Sequence, residues 1–200
     1  MDSFDFTSEI NVNILGHVFE QSISDLEELK DEKISRRKDE GIFYTPKHIT
    51  TYICKNTIIS YLSKNHASTI PELISEYSEN LVELEERIKN IKILDPACGS
   101  GAFLIQAAEL LLDINLEIQN LKPHEEKQSK LDKWSYEEKI SKTIVNNIFG
   151  VDINEESTAI TKLSLFLTMT APNKKLADLS TNIKVGNSLI EDKIVDERAF

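Results

Sequence analysis

Apolar side chains recur at helical spacing in the first part of the chain. Positions three and four apart share one face of a helix, and the pattern predicts amphipathic helices over residues 13–30, 45–64 and 78–90. Nearly every residue over 30–40 is charged, which is typical of a solvated linker. Thr45 before Pro46 suits a helix cap and first turn, and Pro71 is interpreted as a break before the third helix. We therefore expect a helical region over 1–90.

From residue 91 onward, short β-branched runs alternate with helical patterns. Strands are predicted over 91–95, 148–152 and 182–186. Helices are predicted over 102–118 and 135–147 and through 159–167, and the polar stretch 119–134 is interpreted as a surface excursion. The order strand, helix, strand, helix, strand is typical of the α/β class with a doubly wound parallel sheet. Residues 91–200 are therefore expected to form the first half of such a domain.

Composition and charge exclude several classes of protein. The chain of 200 residues is 40% hydrophobic and 28% charged, with 5 Pro and 6 Gly, which excludes collagen-like and fully disordered chains. A net charge of −11 argues against a general phosphate-binding surface. The two cysteines, Cys54 and Cys98, provide no disulfide framework, and neither a signal peptide nor an apolar run of about 18 residues is present. We expect a cytoplasmic protein with no membrane partner.

Residues with useful chemistry follow the first predicted strand. Ligands of parallel α/β sheets bind beyond the carboxyl ends of the strands. The first strand leads into the run DPACGSGAF, in which Gly99 and Gly101 allow a tight turn and the approach of a ligand to the backbone amides. Asp95 places a carboxylate where a cationic amino group can be held, and the spacing Gly-x-Gly-x-x-Gly is absent. The alternative is a turn that binds nothing.

The second and third strand ends carry an acidic and an amide side chain. Asp152, followed by Ile153, can accept hydrogen bonds from two ribose hydroxyls. Its alternative role is that of a carboxylate at the positive end of a helix. Asn187, followed by Ser188, can both donate and accept hydrogen bonds, and a plain turn is the alternative there.

The run DPACGSGAF resembles the cofactor-binding motif of S-adenosylmethionine (SAM)-dependent amino-methyltransferases that act on DNA. The resemblance is to adenine-N6 enzymes of restriction-modification and phage-defence systems, of the type IIG or BREX kind. The segment GIFYTP at 41–46 is similar to the motif that precedes the loop in this family, and residues 150–153 are similar to its second motif. The resemblance covers 41–189 and implies a Rossmann-like methyltransferase fold that binds SAM.

The resemblance also implies roles for single residues. Those expected to contact the cofactor are Phe43, Tyr44, Thr45, Asp95, Ala97, Gly99, Gly101, Asp152, Ile153, Asn187 and Ser188. Among them, Thr45 is expected at the methionine carboxylate, the backbone of Phe43 and Tyr44 at the pocket wall, and Asn187 near the adenine. The alternative for 41–46 is a capped helix start with aromatic residues beneath it. Cys98 is interpreted as a small buried residue without a nucleophilic role.

One part of the family's pattern is absent from the sequence. Adenine enzymes hold the flipped base with an Asn or Asp-Pro-Pro-aromatic string. The five prolines, at 46, 71, 96, 123 and 172, include no adjacent pair. We therefore assign no catalytic residue and no metal ligand. We expect the N-terminal, cofactor-binding part of a longer DNA adenine methyltransferase, inactive alone.

The expected partners of that longer protein are double-stranded DNA, bound through regions beyond these residues, and restriction or defence subunits. Two alternatives stay open for the sequence itself. One is the cofactor-binding portion of a protein or RNA methyltransferase. The other is a SAM-binding module without transfer chemistry.

Overall fold

The computed structural model describes residues 45–122, 136–169 and 178–190. Its elements are α1 (Lys47–Leu62), α2 (Ile70–Glu76), α3 (Leu81–Asn90), β1 (Ile93–Asp95), α4 (Ala102–Leu121), α5 (Tyr136–Asn147), β2 (Ile148–Asp152), α6 (Glu155–Met169) and β3 (Ile183–Val185). The predicted helix 13–30, the charged linker 30–40 and most of the polar stretch 119–134 lie outside the described residues. No helix within the described ranges is long and apolar enough to cross a membrane.

Helices α1, α2 and α3 share one buried cluster. Ile59 and Leu62 of α1, Leu73 of α2 and Leu84 of α3 are all fully buried. Tyr77, between α2 and α3, is also buried and donates its hydroxyl to the Leu62 carbonyl over 2.6 Å. The predicted apolar stripes of α1 and α3 therefore meet in a core. The division of the chain at residue 90 into two regions stays a prediction.

Two helix starts differ from the sequence prediction. Pro46 is the N-cap of α1 and no side chain caps this helix, so the capping role predicted for Thr45 is wrong. Helix α2 was not predicted, and its N-cap Thr69 accepts the Glu72 N–H at 3.4 Å. Pro71 lies in the first turn of α2, where a missing N–H costs nothing. It therefore begins a helix instead of separating two elements.

The sheet has three parallel strands in the order β1, β2, β3. Ile93 pairs with Ile148, and Gly150 pairs with Ile183. Helices α4, α5 and α6 pack against one another and against the sheet, where Ile148 and Ile183 are fully buried. Successive side chains of a strand point to opposite faces of the sheet. Leu94, the residue after Ile93, therefore lies on the face away from these helices, where it is 61% exposed. The predicted parallel α/β arrangement is confirmed, with helices on one face of the sheet within the described residues.

Buried asparagines stand just before β2 and β3. The Asn147 amide donates to the carbonyls of Ile88 and Ile91 over 2.8 and 2.7 Å. The Asn182 amide donates to the Ile148 carbonyl over 2.9 Å. Buried carbonyls need such donors. These bonds join the amino ends of the strands. Because the strands are parallel, their carboxyl ends lie together at the other end of the sheet.

Candidate functional site

The turn after β1 contains two glycines in the left-handed region. Gly99 has φ +52° and Gly101 has φ +88°, values that residues with a Cβ rarely adopt. A Cβ at Gly99 would meet nothing within 4 Å, whereas one at Gly101 would lie 2.9 Å from Cγ2 of Thr161. The predicted tight turn is therefore present. Its Gly99 side is open, and its Gly101 side is closely packed.

Backbone N–H groups of this turn are hydrogen-bonded within the protein. The N–H of Ala97 donates to Asp95 Oδ1 over 3.1 Å, and the N–H of Cys98 donates to the Val151 carbonyl over 2.9 Å. The N–H of Gly99 donates to Asp152 Oδ2, and the N–H of Gly101 donates to the Cys98 carbonyl, both over 2.8 Å. Each of these amides already has an acceptor, and the approach of a ligand to the turn stays a prediction. The turn suits a ligand that brings hydrogen-bond donors.

Asp152 ends β2 and holds two backbone segments. Its Oδ2 accepts the Gly99 N–H at 2.8 Å, and its Oδ1 accepts the Asn154 N–H at 2.9 Å. Asn154 in turn accepts the Ser157 N–H at 2.7 Å, so Asn154 provides the side-chain cap of α6. A carboxylate has about four lone-pair sites, and Asp152 therefore keeps acceptor capacity on both oxygens. It can fix the turn and receive further donors at the same time.

The turn after β3 reaches across to the turn after β1. The Gly186 N–H donates to the Asp152 carbonyl over 2.8 Å, and the Ser188 hydroxyl donates to the Pro96 carbonyl over 2.8 Å. Asn187 is exposed, and its Oδ1 accepts the Leu189 N–H at 3.0 Å. The structure therefore brings the three predicted strand ends together. Their roles toward a cofactor stay predictions.

Two further predicted residues flank these strand ends. Ala97 is exposed on the turn after β1, and Ile153 is 60% exposed directly after Asp152. Both are therefore accessible from the edge at which the strands end. Contact of either with a cofactor stays a prediction.

The segment before α1 is only partly described. Thr45 is half-buried, whereas Phe43 and Tyr44 lie outside the described residues. Helix α1 meets the start of α4 at Cys54, whose thiol donates to the Phe103 carbonyl over 3.5 Å. The cofactor contacts that the resemblance implies for this segment stay predictions.

An apolar cavity of about 280 Å³ lies between α1, β1 and α4. Its lining includes Ile53, Leu94, Pro96, Phe103 and Asp95. Asp95 therefore stands where this apolar cavity borders the polar strand ends. Burial raises the pKa of the Asp95 carboxyl above its usual range, the hydrogen bond from the turn lowers it in part, and the Asp152 charge raises it further. A cation bound beside the two carboxylates would be stabilised by both.

Both cysteines are buried near these carboxylates. Burial, followed by the charge of Asp95, raises the pKa of Cys54 to about 11. Burial, followed by the charges of Asp152 and Asp95, raises the pKa of Cys98 to about 12. The thiolate is the reactive form of cysteine. The interpretation of Cys98 as a small buried residue is therefore confirmed.

We expect neither thiol to react with Ellman's reagent in the native chain at about pH 8, because both are buried and protonated. Unfolding in urea should release both for reaction, since a free cysteine has a pKa of about 8.5. Absorbance after mixing measures the number of thiols and their rates. Rapid labelling of Cys54 or Cys98 before unfolding would contradict the prediction.

Sequence analysis did not single out a residue that contacts both glycines of the turn. Thr161 of α6 is fully buried, and its Oγ1 donates to the Gly99 carbonyl over 2.6 Å. Its methyl group occupies the space next to Gly101. The available signal was a hydroxyl within an apolar helical stripe, which by itself indicates no partner.

Sequence comparisons identify relatives of the chain. Residues 71–193, more than half of the chain, match the family described as MmeI, DNA-methyltransferase domain. RM.MjaORFECS2P of Methanocaldococcus jannaschii, named as a type II restriction enzyme and methyltransferase, is 35% identical over 210 residues, covering 91% of this chain and 17% of the relative. RM.Eco57I of Escherichia coli, also named as a type II restriction enzyme and methyltransferase, is 30% identical over 215 residues. The match covers 96% of this chain and 19% of that relative.

The name of a third relative states the base on which it acts. The adenine-specific methyltransferase BrxX of Escherichia coli O9:H4 (strain HS) is 22% identical over 207 residues, covering 92% of this chain and 15% of the relative. The chain thus spans less than a fifth of the length of these relatives. The match over 71–193 includes all three strands and confirms the predicted resemblance, with its Rossmann-like methyltransferase fold. The chain belongs to the MmeI DNA-methyltransferase domain family.

Proposed function

We propose that the chain is the SAM-binding part of a site-specific DNA adenine-N6 methyltransferase of a restriction-modification or phage-defence system. The names of its relatives support the reaction class, since two are named as restriction enzymes and methyltransferases and the third as an adenine-specific methyltransferase. The observation that carries the SAM-binding role is Asp152. Its carboxylate joins the second strand end to the turn after β1 and keeps acceptor capacity for a ligand.

The turn after β1 fits the amino-acid end of SAM. That end carries an ammonium group, which is a cation and a hydrogen-bond donor, and a carboxylate, for which the resemblance implies Thr45. The amides of Ala97, Gly99 and Gly101 are already bonded, so the turn can offer carbonyl and carboxylate oxygens. Asp95 adds a partly buried carboxylate that a cation would stabilise. A polyphosphate placed there would face Asp95 and Asp152 and be repelled by both.

The other two strand ends fit the nucleoside end of SAM. The spare acceptor sites of Asp152 suit ribose hydroxyls, because a charged acceptor forms the stronger hydrogen bonds. Asn187 is exposed at the end of β3 and can present its amide to an adenine ring. The Ser188 hydroxyl is engaged by the Pro96 carbonyl. Ser188 therefore helps to hold the turn.

SAM, when bound, supplies a methyl group activated by the sulfonium centre. The residues of this chain would bind and orient that group, with Asp95 at the ammonium, Asp152 at the ribose and the glycine turn fixing their separation. The sequence has no adjacent prolines, so it lacks an Asn or Asp-Pro-Pro-aromatic string for holding a flipped adenine. We therefore expect these residues to bind SAM without transferring its methyl group, and DNA to be held by other parts of the protein.

Isothermal titration calorimetry of the folded chain tests this proposal. SAM and S-adenosylhomocysteine should both bind, because they share the ammonium and nucleoside ends. ATP shares the adenosine but carries phosphates, and it should not bind. The same sample should transfer no labelled methyl group to DNA. The absence of SAM binding by a sample that circular dichroism shows to be folded, or equal binding of ATP, would overturn the assignment.

A further inference from the structure

We infer that Thr161 is a positioning residue that holds the turn after β1 in its SAM-binding conformation, an inference that rests on the proposed function. The observation behind it is a single buried side chain that acts on both glycines of the turn. The Thr161 hydroxyl donates to the Gly99 carbonyl over 2.6 Å. The Thr161 methyl carbon and hydroxyl oxygen lie 2.9 and 3.0 Å from the position that a Cβ of Gly101 would take.

Gly99 lacks a Cβ, so its backbone torsion angles are less restricted than those of other residues. It has φ +52° and no neighbouring atom within 4 Å of its Cβ position. Asp152 holds the Gly99 N–H, and Thr161 holds the Gly99 carbonyl. Loss of the second bond would remove the hold of α6 on the peptide that follows Gly99.

The bond from Thr161 to the Gly99 carbonyl is short and comes from a buried side chain. Thr161 is fully buried, and the 2.6 Å distance lies at the short end of the range for O–H···O bonds. Without the hydroxyl, the Gly99 carbonyl would be left next to a buried apolar group, which favours rotation of the peptide away from α6. The open side toward which it would rotate is the side proposed for the ligand.

Thr161 and Asp152 belong to the same β2–α6 unit. This unit therefore fixes Gly99 at both of its hydrogen-bonding groups, one through a strand end and one through a helix. Asp152 combines this task with a proposed ligand contact. The hydroxyl of Thr161 is directed at the backbone, so it acts on the ligand through the turn.

A set of variants separates the hydroxyl from the methyl group. Thr161→Val keeps the shape and removes the hydroxyl, Thr161→Ser keeps the hydroxyl and removes the methyl group, and Thr161→Ala removes both. Thr158→Val is the matched control, because Thr158 is also buried on α6 but donates to the Glu155 carbonyl within its own helix, over 2.8 Å. Calorimetry with SAM and thermal unfolding are measured for each variant of the 200-residue chain.

Affinity for SAM should follow the hydroxyl. We expect Thr161→Val and Thr161→Ala to bind SAM about tenfold more weakly, and Thr161→Ser and Thr158→Val to bind within about twofold of wild type. If Thr161→Val does not fold, the comparison of Ser with Ala at this position gives the same decision, because these two differ only in the hydroxyl.

Each contrary result has a distinct meaning. Affinity that follows the methyl group, or an equal loss in Thr158→Val, would show that Thr161 acts only through packing or helix stability and would overturn the inference. Normal SAM affinity in both Thr161→Val and Thr161→Ala would overturn it while leaving the proposed function intact. A folded wild-type chain that does not bind SAM would overturn the proposed function, and this inference with it.

Discussion

Replacement of Asp152 by asparagine is expected to weaken SAM binding by at least about 100-fold. The carboxylate accepts the N–H groups of Gly99 and Asn154 at 2.8 and 2.9 Å, one on each oxygen. Asparagine has one side-chain oxygen, so its amino group would face one of these N–H donors and displace a backbone segment. The ribose would also lose a charged acceptor, which contributes about 1.5–3 kcal/mol.

Asp178→Asn is the matched control for this substitution. The Asp178 carboxylate also accepts a backbone N–H, that of Ser180 at 2.8 Å, but it lies before β3, at the amino ends of the strands. We expect this variant to bind SAM like wild type. Calorimetry gives the affinities, and thermal unfolding separates ligand effects from loss of folded chain. Wild-type affinity in Asp152→Asn would restrict Asp152 to a structural role and remove the main support for the proposed function.

The strands could be predicted from their composition, but some of their ends could not: β3 is one residue shorter at each end than the predicted 182–186, and β1 begins late. Ile91 and Lys92 continue the β-branched run that leads into β1, yet the strand begins only at Ile93. The reason is that the Ile91 N–H donates to the Arg87 carbonyl over 3.0 Å and so completes the last turn of α3. The β-propensity of a side chain does not show that its own backbone already serves a helix end.

Helix α2 was missed because it is too short for a periodic pattern. Its 7 residues span less than the window of about 11 that such a pattern requires. Only local signals mark it, namely the Thr69 cap and Glu72 three residues later, whose carboxylate accepts the Ser68 N–H at 2.8 Å. Pro71 was the residue most easily misinterpreted, because the same proline can begin a helix or end one.

The site was predictable where it depends on strand ends and unpredictable where it depends on distant partners. Asp95 and Asp152 end β1 and β2, and Asn187 follows β3, so the rule for parallel sheets placed them at one edge. The partners of Gly99, by contrast, lie 53 and 62 residues away in the sequence. No local pattern shows that these long-range bonds use the amide and carbonyl that appear free in a glycine-rich turn.

Gly150→Ala is expected to lower the free energy of unfolding by about 2–3 kcal/mol. Gly150 lies in β2 beneath α4, where an added Cβ would stand 2.7 Å from Cδ1 of Leu104 and 3.0 Å from Sγ of Cys98. Leu104 and Cys98 are 1% and 5% exposed, so they can move only by shifting other core atoms. Because Cys98 belongs to the turn after β1, we also expect weaker SAM binding.

Urea unfolding with one control and one double variant tests the cause. Gly186→Ala makes the same change directly after β3, where a Cβ would lie 3.8 Å from Val151 Cγ1, an ordinary contact, and we expect a change within about 0.5 kcal/mol. Leu104→Val removes the δ-carbon that a Cβ at Gly150 would strike. The two substitutions together should therefore cost less than the sum of their separate costs. Additive costs, or a Gly150→Ala variant as stable as wild type, would show that α4 can move away from β2 and that close packing over Gly150 does not hold the turn.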